Sequence, residues 1–413
     1  MLTNLFVNDF PSVYAALVEA LPHKPWLRRT ETLDQHARST PLQHALARKS
    51  NDIAYSLSLF DQYGLGLMNT PDEPEMIVAL CTMAQALALA KASGEQARSR
   101  LLKRLEGAFR NPDDMRALRM ELHTATHLHR LGSRVEWSDE CCGQETYDML
   151  IIGSSGQEVE VECKAWSKDK GVVITAEQAA GFFQHLDGVK TKITEIVNPG
   201  EILAVTVTVA VGLPRGEPDQ RRLALDLLEA IVESLPEKVD FGQISILKLS
   251  APLIFQLEDD DRIAYCIHLV DAATGSAVGY RAVIGDRQRA IVVELRSERA
   301  SKKFSRMLKD AKHAIRDQMT GTRPGCLVVR LDGISGPELL KYVAEAGSVQ
   351  QVFAHELFLD EQHEHLDCIV WVSDPALQEI APGIGSNQSV SYVMRRTQGR
   401  YSNLDIGGIF NPH

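Results

Sequence analysis

Apolar residues in the first 110 positions recur at the three- and four-residue spacing that is typical of amphipathic helices. The clearest stretches are 11–21, 42–59, 75–91 and 95–109. A fresh helix start follows at Asn111, with a capping side chain, a proline at the first helical position and acidic residues in the first turn. The pattern predicts an all-helical region over 1–110 and a domain boundary at Asn111.

Shorter apolar runs with the character of strands begin near position 134. Residues 134–137 are predicted as one strand. The runs 147–152 and 157–164 flank Gly153-Ser154-Ser155-Gly156, whose composition is typical of a turn. Together these two runs predict a β-hairpin.

One face of this hairpin is predicted to carry charge. Strand side chains alternate between two faces, so the apolar residues of the second strand share one face and its charged residues share the other. The charged residues are Glu158, Glu160, Glu162 and Lys164. If Ile152 pairs with Glu158, the same register places Asp148 opposite Glu162, about 5 Å away.

Two adjacent carboxylates favour a bound cation. Like charges directly opposite on a ladder are destabilising unless something offsets them. Mg²⁺ takes oxygen ligands and is typically held by one or two carboxylates plus a substrate phosphate. Lys164 lies two residues beyond Glu162 and would orient a water against a phosphorus atom, or take its proton if charge and partial burial depress the pKa of the lysine.

Asp148 and Glu162-Cys163-Lys164 resemble the active site of the restriction-endonuclease-like PD-(D/E)XK phosphodiesterase superfamily, with Tyr147 where that family usually has proline. The resemblance covers roughly 112–212. It implies a core ordered helix, three strands, helix, strand. The predicted elements for this order are the helix 121–132, the strand 134–137, the hairpin, a helix over 174–186 and a strand over 202–211.

The resemblance also implies a role for each residue. Asp148 and Glu162 would hold Mg²⁺, for which Mn²⁺ can substitute, and Glu121 would assist directly or through water. Lys164 would position or activate the attacking water. The implied fold class is mixed α/β, a restriction-endonuclease-like core of a mixed sheet flanked by helices at 111–213, preceded by the helical region.

The remaining chain, 214–413, is predicted to form a further α/β region that either extends the nuclease sheet or forms a separate domain. Its predicted helices are 220–235, 301–316 and 336–346. Its predicted strands are 242–249, 264–270, 281–284, 290–295, 326–331, 349–354 and 366–372. The tail from Gly383, rich in glycine, serine and asparagine, is predicted as loop.

The net charge of −11 argues against a nucleic-acid partner, but the distribution of charge matters more than its sum. The helix 301–316 carries a basic stripe at helical spacing, and a second basic cluster between Arg98 and Arg119 leads into the Glu121 helix. A solvated helix surface is the alternative for the stripe. The expected nucleic-acid contacts are Arg116, Arg119, Lys302, Arg306, Lys309 and Arg316.

Composition is that of an ordinary globular protein, with 44% hydrophobic and 24% charged residues. Seven scattered cysteines favour reduced thiols, and adjacent Cys141 and Cys142 do not have the spacing of a zinc site. Without a long apolar run or a basic signal-peptide start, we expect a cytoplasmic protein with no membrane partner.

These features together predict a metal-dependent nuclease that hydrolyses phosphodiester bonds, with DNA as the expected substrate and defence against foreign DNA or repair as the setting. Residues 1–110 would recognise nucleic acid or a protein partner, and a homo-oligomer is left open. Three alternatives stay open as well: a catalytically inactive nuclease fold that binds nucleic acid, an adaptor subunit, and a nuclease that acts on RNA.

Overall fold

The computed structural model divides the chain into two compact units. The first combines the described residues of 1–38, 47–170 and 304–413, and the second is formed by those of 171–303. The residues that the structure describes are 5–37, 47–92, 94–137, 147–153, 156–167, 171–186, 192, 195–214, 216–233, 237–239, 242–275, 279–299, 302–345, 347–381, 384–404 and 406–410. This division differs from the predicted boundaries at 111 and 213.

Helices make up the described N-terminal part of the first unit, as predicted. They are α1 (Phe10–Ala20), α2 (Pro25–Ala37), α3 (Asp52–Tyr63), α4 (Glu73–Ala92), α5 (Glu95–Ala108) and α6 (Pro112–Arg130). Helix α6 begins where the sequence places it, since the Asn111 side chain accepts a hydrogen bond from the Asp113 N–H at 3.0 Å. Helix α6 nevertheless shares one core with the helices before it, so Asn111 is a helix start and not a domain boundary.

Helix α4 is long and apolar enough to cross a membrane by length and composition. Its apolar residues pack inside the first unit, where Met76, Leu80 and Met83 are fully buried. Core packing therefore accounts for the apolar character of this helix.

The rest of the chain alternates strands and helices. Before the second unit it forms β1 (Arg134–Trp137), β2 (Met149–Ile152) and β3 (Glu158–Trp166). The second unit contains α7 (Ala176–Gln184), β4 (Glu201–Val209), α8 (Glu217–Glu233), β5 (Glu237–Val239), β6 (Gly242–Ser250), α9 (Asp259–Thr274), β7 (Tyr280–Gly285) and β8 (Ala290–Ser297). The chain then continues as α10 (Lys303–Asp317), β9 (Gly325–Leu331), α11 (Gly336–Ala344), α12 (Val349–Phe358), β10 (Leu366–Val372), β11 (Ala376–Ala381), β12 (Ile384–Gln388), β13 (Ser391–Arg395) and α13 (Ile406–Phe410).

The sheet of the first unit has the strand order β1-β2-β3-β9-β10-β13. Strands β3, β9 and β10 are parallel, and the other neighbours are antiparallel. One face packs on the helical core that includes α6, and the other packs on α10, α11 and α12. The sheet is therefore mixed and covered by helices on both faces.

The second unit has its own sheet, with the order β5-β6-β4-β8-β7. Helices α7 and α8 pack on one face and α9 packs on the other. The predicted strand over 202–211 exists as β4, but its neighbours are β6 and β8. Its assignment to the sheet of the hairpin was wrong, because an apolar strand pattern does not specify which strand it pairs with.

Three further predictions were wrong in element type. Positions 264–270 and 349–354 were predicted as strands but lie in α9 and α12, since a short apolar run looks alike in a buried helix and a buried strand. Left-handed Gly275 ends α9, and the Ser348 side chain caps α12. The predicted C-terminal loop contains β12, β13 and α13, of which β13 pairs with β10.

Phe353 is the centre of an aromatic cluster on the α10 face of the first sheet. Its ring centroid lies 5.3 Å from Trp371, 5.7 Å from Trp166 and 6.1 Å from Phe304. We expect Phe353→Ala to lower the free energy of unfolding by about 3–5 kcal/mol, because the buried cavity would collapse only in part.

Tryptophan fluorescence during urea unfolding measures this loss, and all four tryptophans belong to the first unit. The matched control is Leu359→Ala, whose side chain is 66% exposed and which should change stability by about 0.5 kcal/mol or less. Equal losses in the two variants would contradict the central position of Phe353.

Candidate active site

The hairpin forms in the predicted register. Ile152 pairs with Glu158, and the ladder continues to Met149 opposite Val161. The turn closes through the Gly156 N–H, which donates to the Gly153 carbonyl at 2.9 Å. The two faces are also as predicted, since Val159, Val161 and Cys163 join the core that includes α6, whereas Glu160 and Lys164 contact residues just after the end of α10.

Asp148 lies where strand β2 separates from strand β3. The described ladder ends at Met149, the residue after Asp148, and the Asp148 carboxylate Oδ2 accepts the Cys163 N–H at 2.7 Å. A side-chain oxygen thus takes over a backbone hydrogen bond at the edge of β3. This contact fixes the carboxylate near Glu162, the residue before Cys163 on the strand.

Lys164 joins the acidic pair to helix α10. Its Nζ contacts Glu162 Oε1 and donates to Gln318 Oε1 at 2.9 Å, just beyond the end of α10. The Lys164 side chain is 23% exposed and that of Glu162 is 1% exposed. The ammonium group is therefore the part of this pair that solvent reaches.

Glu162 is a buried carboxylate with an unusual proton affinity. Burial, followed by the negative charge of Asp148, raises its pKa from 4.5 to about 8, although Lys164 acts in the opposite direction. Its second oxygen, Oε2, is buried and has no hydrogen-bond partner among the described residues. Such an oxygen has unused capacity to bind a cation or a donor.

Glu121 belongs to the same electrostatic cluster. It lies on α6, is 2% exposed and accepts a hydrogen bond from Arg104 Nη2. Its charge contributes to the raised pKa of Glu162. The structure therefore brings together Asp148, Glu162 and Lys164, while Glu121 acts on this group only through its charge and has Arg104 as its hydrogen-bond partner.

The pKa of Lys164 is raised, which is the reverse of one expectation from sequence. Burial is the largest single influence and lowers the pKa, but the charge and hydrogen bond of Glu162, together with the charge of Asp148, outweigh it. The amine is thus charged near neutral pH. It is suited to orient a water or stabilise negative charge, and not to accept a proton.

Glu160 explains why β3 tolerates so much charge. It is fully buried, accepts the Thr320 N–H at 2.8 Å and contacts the Thr320 hydroxyl. Neighbouring Glu158 pairs with Arg323 Nε at 2.7 Å. Both acids thus hold the loop between α10 and β9 against β3, a structural role that the sequence did not reveal.

The basic residues predicted to contact nucleic acid fall into two groups. Arg116 forms ion pairs with Asp113 and Asp332, and Arg119 lies 2.8 Å from Asp52. Such internal pairs leave these two arginines less suited to phosphate binding. The other group lies on or beside α10: Lys302 precedes the helix, Arg306 and Lys309 are exposed on it, and exposed Arg316 pairs with Asp317 at 2.9 Å.

Among the described residues, no three His, Cys, Asp or Glu side chains are arranged as a metal-binding group. Cys141 and Cys142 lie outside the described residues. The predicted metal site therefore stays a prediction.

Comparison of the chain with known proteins found no match among protein-family models, curated proteins or solved structures.

The raised pKa of Glu162 predicts a pH-dependent stability. An acid whose pKa is higher in the folded protein binds protons more tightly there, so its contribution to the free energy of unfolding falls as pH rises from about 4.5 to about 8. Glu162→Gln mimics the protonated form. We expect this variant to gain stability relative to the wild type across that range.

Urea unfolding in EDTA at several pH values from about 5 to about 8.5 measures this difference. Glu158→Gln is the matched control, since it removes a carboxylate from the exposed end of the same strand. A stability difference for Glu162→Gln that stays constant with pH would refute the raised pKa.

Proposed function

We propose that the protein is a Mg²⁺-dependent nuclease that hydrolyses phosphodiester bonds of DNA, with an active site of the PD-(D/E)XK type. The observation that carries this proposal is the grouping of Asp148, Glu162 and Lys164 where β2 separates from β3. A buried Glu162 next to a half-buried Asp148, with a charged lysine beside them, suits metal-assisted attack on phosphate.

The order of elements in the first unit supports the proposal. Helix α6, strands β1 to β3, helix α10 and strand β9 follow the order helix, three strands, helix, strand, with β9 parallel to β3. The second unit then lies in the chain between β3 and α10. In this assignment α10 and β9 take the places that the sequence suggested for 174–186 and 202–211.

The donor set fits a hard divalent cation. Glu162 Oε2 is buried without a hydrogen-bond partner among the described residues, and the charges of Asp148 and Glu121 raise the pKa of Glu162. Asp148 and Glu162 would hold the ion and Glu121 would assist. Bound there, Mg²⁺ would supply charge neutralisation and polarise the scissile phosphate.

Lys164 acts through its charge in this proposal. The contacts with Glu162 and Gln318 fix the direction of the ammonium group, and its partial exposure leaves a side from which solvent can approach. Its N–H groups would orient the attacking water and stabilise negative charge on the phosphate. The positive charge of the lysine must be retained for this role.

A nucleic-acid-binding protein with an inactive nuclease fold is the second candidate. It is favoured by the ion pair that occupies Glu162 Oε1 and by the lack of a three-residue metal-binding group among the described residues. Cleavage assays decide between the two, because both candidates bind nucleic acid and one of them cuts it.

Substitutions in the site should separate catalysis from folding. Lys164→Met keeps the apolar stem of the side chain but removes the ammonium, and we expect cleavage to fall by about two orders of magnitude or more. Asp148→Asn keeps an oxygen that can accept the Cys163 N–H but removes the charge, and it should abolish metal-dependent cleavage.

The measurement is cleavage of linear DNA, circular DNA and RNA with Mg²⁺, Mn²⁺ or EDTA. Glu158→Gln is the control and should cut at the wild-type rate. Mg²⁺ should also raise the thermal stability of the wild type more than that of Asp148→Asn, because a ligand of the native state stabilises it. Wild-type cleavage by both site variants would place the activity elsewhere.

The basic face of α10 should contribute to DNA affinity. Replacing Arg306, Lys309 and Arg316 by glutamine should weaken binding across sequences and reduce the slope of log affinity against log salt by about one unit for each phosphate that these side chains neutralise. Binding is measured in EDTA at several salt concentrations. The matched control replaces Arg221, Arg222 and Arg287, which are exposed and lie outside both basic clusters, and an unchanged slope in the α10 variant would show that its face is merely solvated.

A further inference from the structure

A cavity of about 180 Å³ lies in the helical part of the first unit, where the start of α2 meets the end of α5. Phe109 forms an apolar part of its wall, and Glu106 is the acid in the wall. Four basic side chains also line it: His23, Arg28, Arg29 and Arg110. None of the residues in the cavity wall belongs to the proposed active site.

The walls of this cavity do not neutralise their own charge. With histidine counted as neutral, three arginines and one glutamate leave a net charge of +2. Glu106 Oε1 is 3.5 Å from Arg110 Nη2 and offsets that arginine. The Arg29 Nε donates to the neutral Asn51 Oδ1 at 2.9 Å, which orients the guanidinium without cancelling its charge.

An unusual backbone turn shapes the same cavity. Lys24 has φ of +44° and precedes a proline, although residues before proline normally adopt extended conformations. Its Nζ lies 2.6 Å from Asp61 Oδ1, which also accepts the Tyr14 hydroxyl at 2.6 Å. These contacts hold the turn that brings His23 into the wall, and strain of this kind is found at ligand-binding sites.

We propose that this cavity binds a terminal phosphate monoester of a nucleic-acid strand. A monoester carries nearly two negative charges at neutral pH, which matches the net charge of the wall, and guanidinium groups bind its oxygens through paired N–H donors. A phosphodiester inside a strand carries only one negative charge, and the strand would have to continue out of the cavity on both sides of it. That the phosphate belongs to a nucleic-acid strand rests on the proposed function. That the cavity binds a phosphate monoester follows from its side chains alone.

The experiment compares the affinity of the full-length protein for labelled oligonucleotides that carry a 5′-phosphate, a 3′-phosphate or neither, in EDTA. We expect one phosphorylated form to bind about tenfold more tightly than the unphosphorylated strand. Arg28→Gln, and the double variant with Arg110→Gln, should lose that preference. Arg100→Gln is the control, since Arg100 is exposed and lies outside the cavity wall, and it should retain the preference.

Equal affinity of the wild type for all three strands, or an intact preference in folded Arg28 variants, would overturn the proposal. Thermal unfolding of each variant verifies folding. If a nucleoside monophosphate displaces the labelled strand at the same concentration as an unlabelled phosphorylated strand does, that result would support the phosphate site and assign it to free nucleotides. Because no cleavage is measured, Asp148→Asn should keep the preference, so failure of the nuclease proposal and failure of this one are distinguishable.

Discussion

Strand β3 imposes the main constraint on the first unit, because it lies inside the sheet and still carries a row of charged side chains. Strands β2 and β9 flank it on both sides, so β3 has no free edge that exposes its charged side chains to solvent. A buried charge is costly unless it is paired or hydrogen-bonded. Glu160 is matched by Thr320, Glu162 by Lys164, and Lys164 by Gln318. Gln318 and Thr320 lie just after α10. The end of that helix must therefore pack against β3 for the charged side chains of the strand to have partners.

The sequence predicted the local features of the site correctly because they depend on neighbouring residues. Turn composition and a period of two were sufficient to predict the hairpin and the separation of its charged and apolar faces, and the register that was assumed for Ile152 and Glu158 is the one observed. The proline and acids after Asn111 were sufficient for the start of α6. Each of these inferences used residues that are close in sequence, where backbone geometry leaves few options.

Features that depend on contacts between residues far apart in the chain could not be predicted in this way. The parallel neighbour of β3 is β9, and the whole second unit lies between them in the chain. An apolar run such as 202–211 looks equally suitable for that place, so the sequence assigned the wrong strand. Gln318 could not be linked to Lys164 until β9 was known to lie beside β3. Similarly, Arg116 and Arg119 were expected to bind phosphate because their basic cluster leads into the Glu121 helix, but sequence does not distinguish a solvated arginine from one paired with a distant aspartate.

The proposed active site has more negative than positive charge, and this imbalance opposes folding. Asp148 and Glu162 lie beside a single lysine, whereas Glu121 is paired with Arg104, and the raised pKa of Glu162 means that its ionisation costs stability. A purely structural core would gain by replacing Glu162 with an apolar residue, since buried charges are often no more stabilising than apolar side chains of similar size. A cation bound by Asp148 and Glu162 would raise the stability of the folded protein, because it would offset the repulsion between these two carboxylates. Under the proposed function, the unfavourable carboxylate of Glu162 is therefore a binding group, and its cost in stability is the cost of keeping a site for a cation.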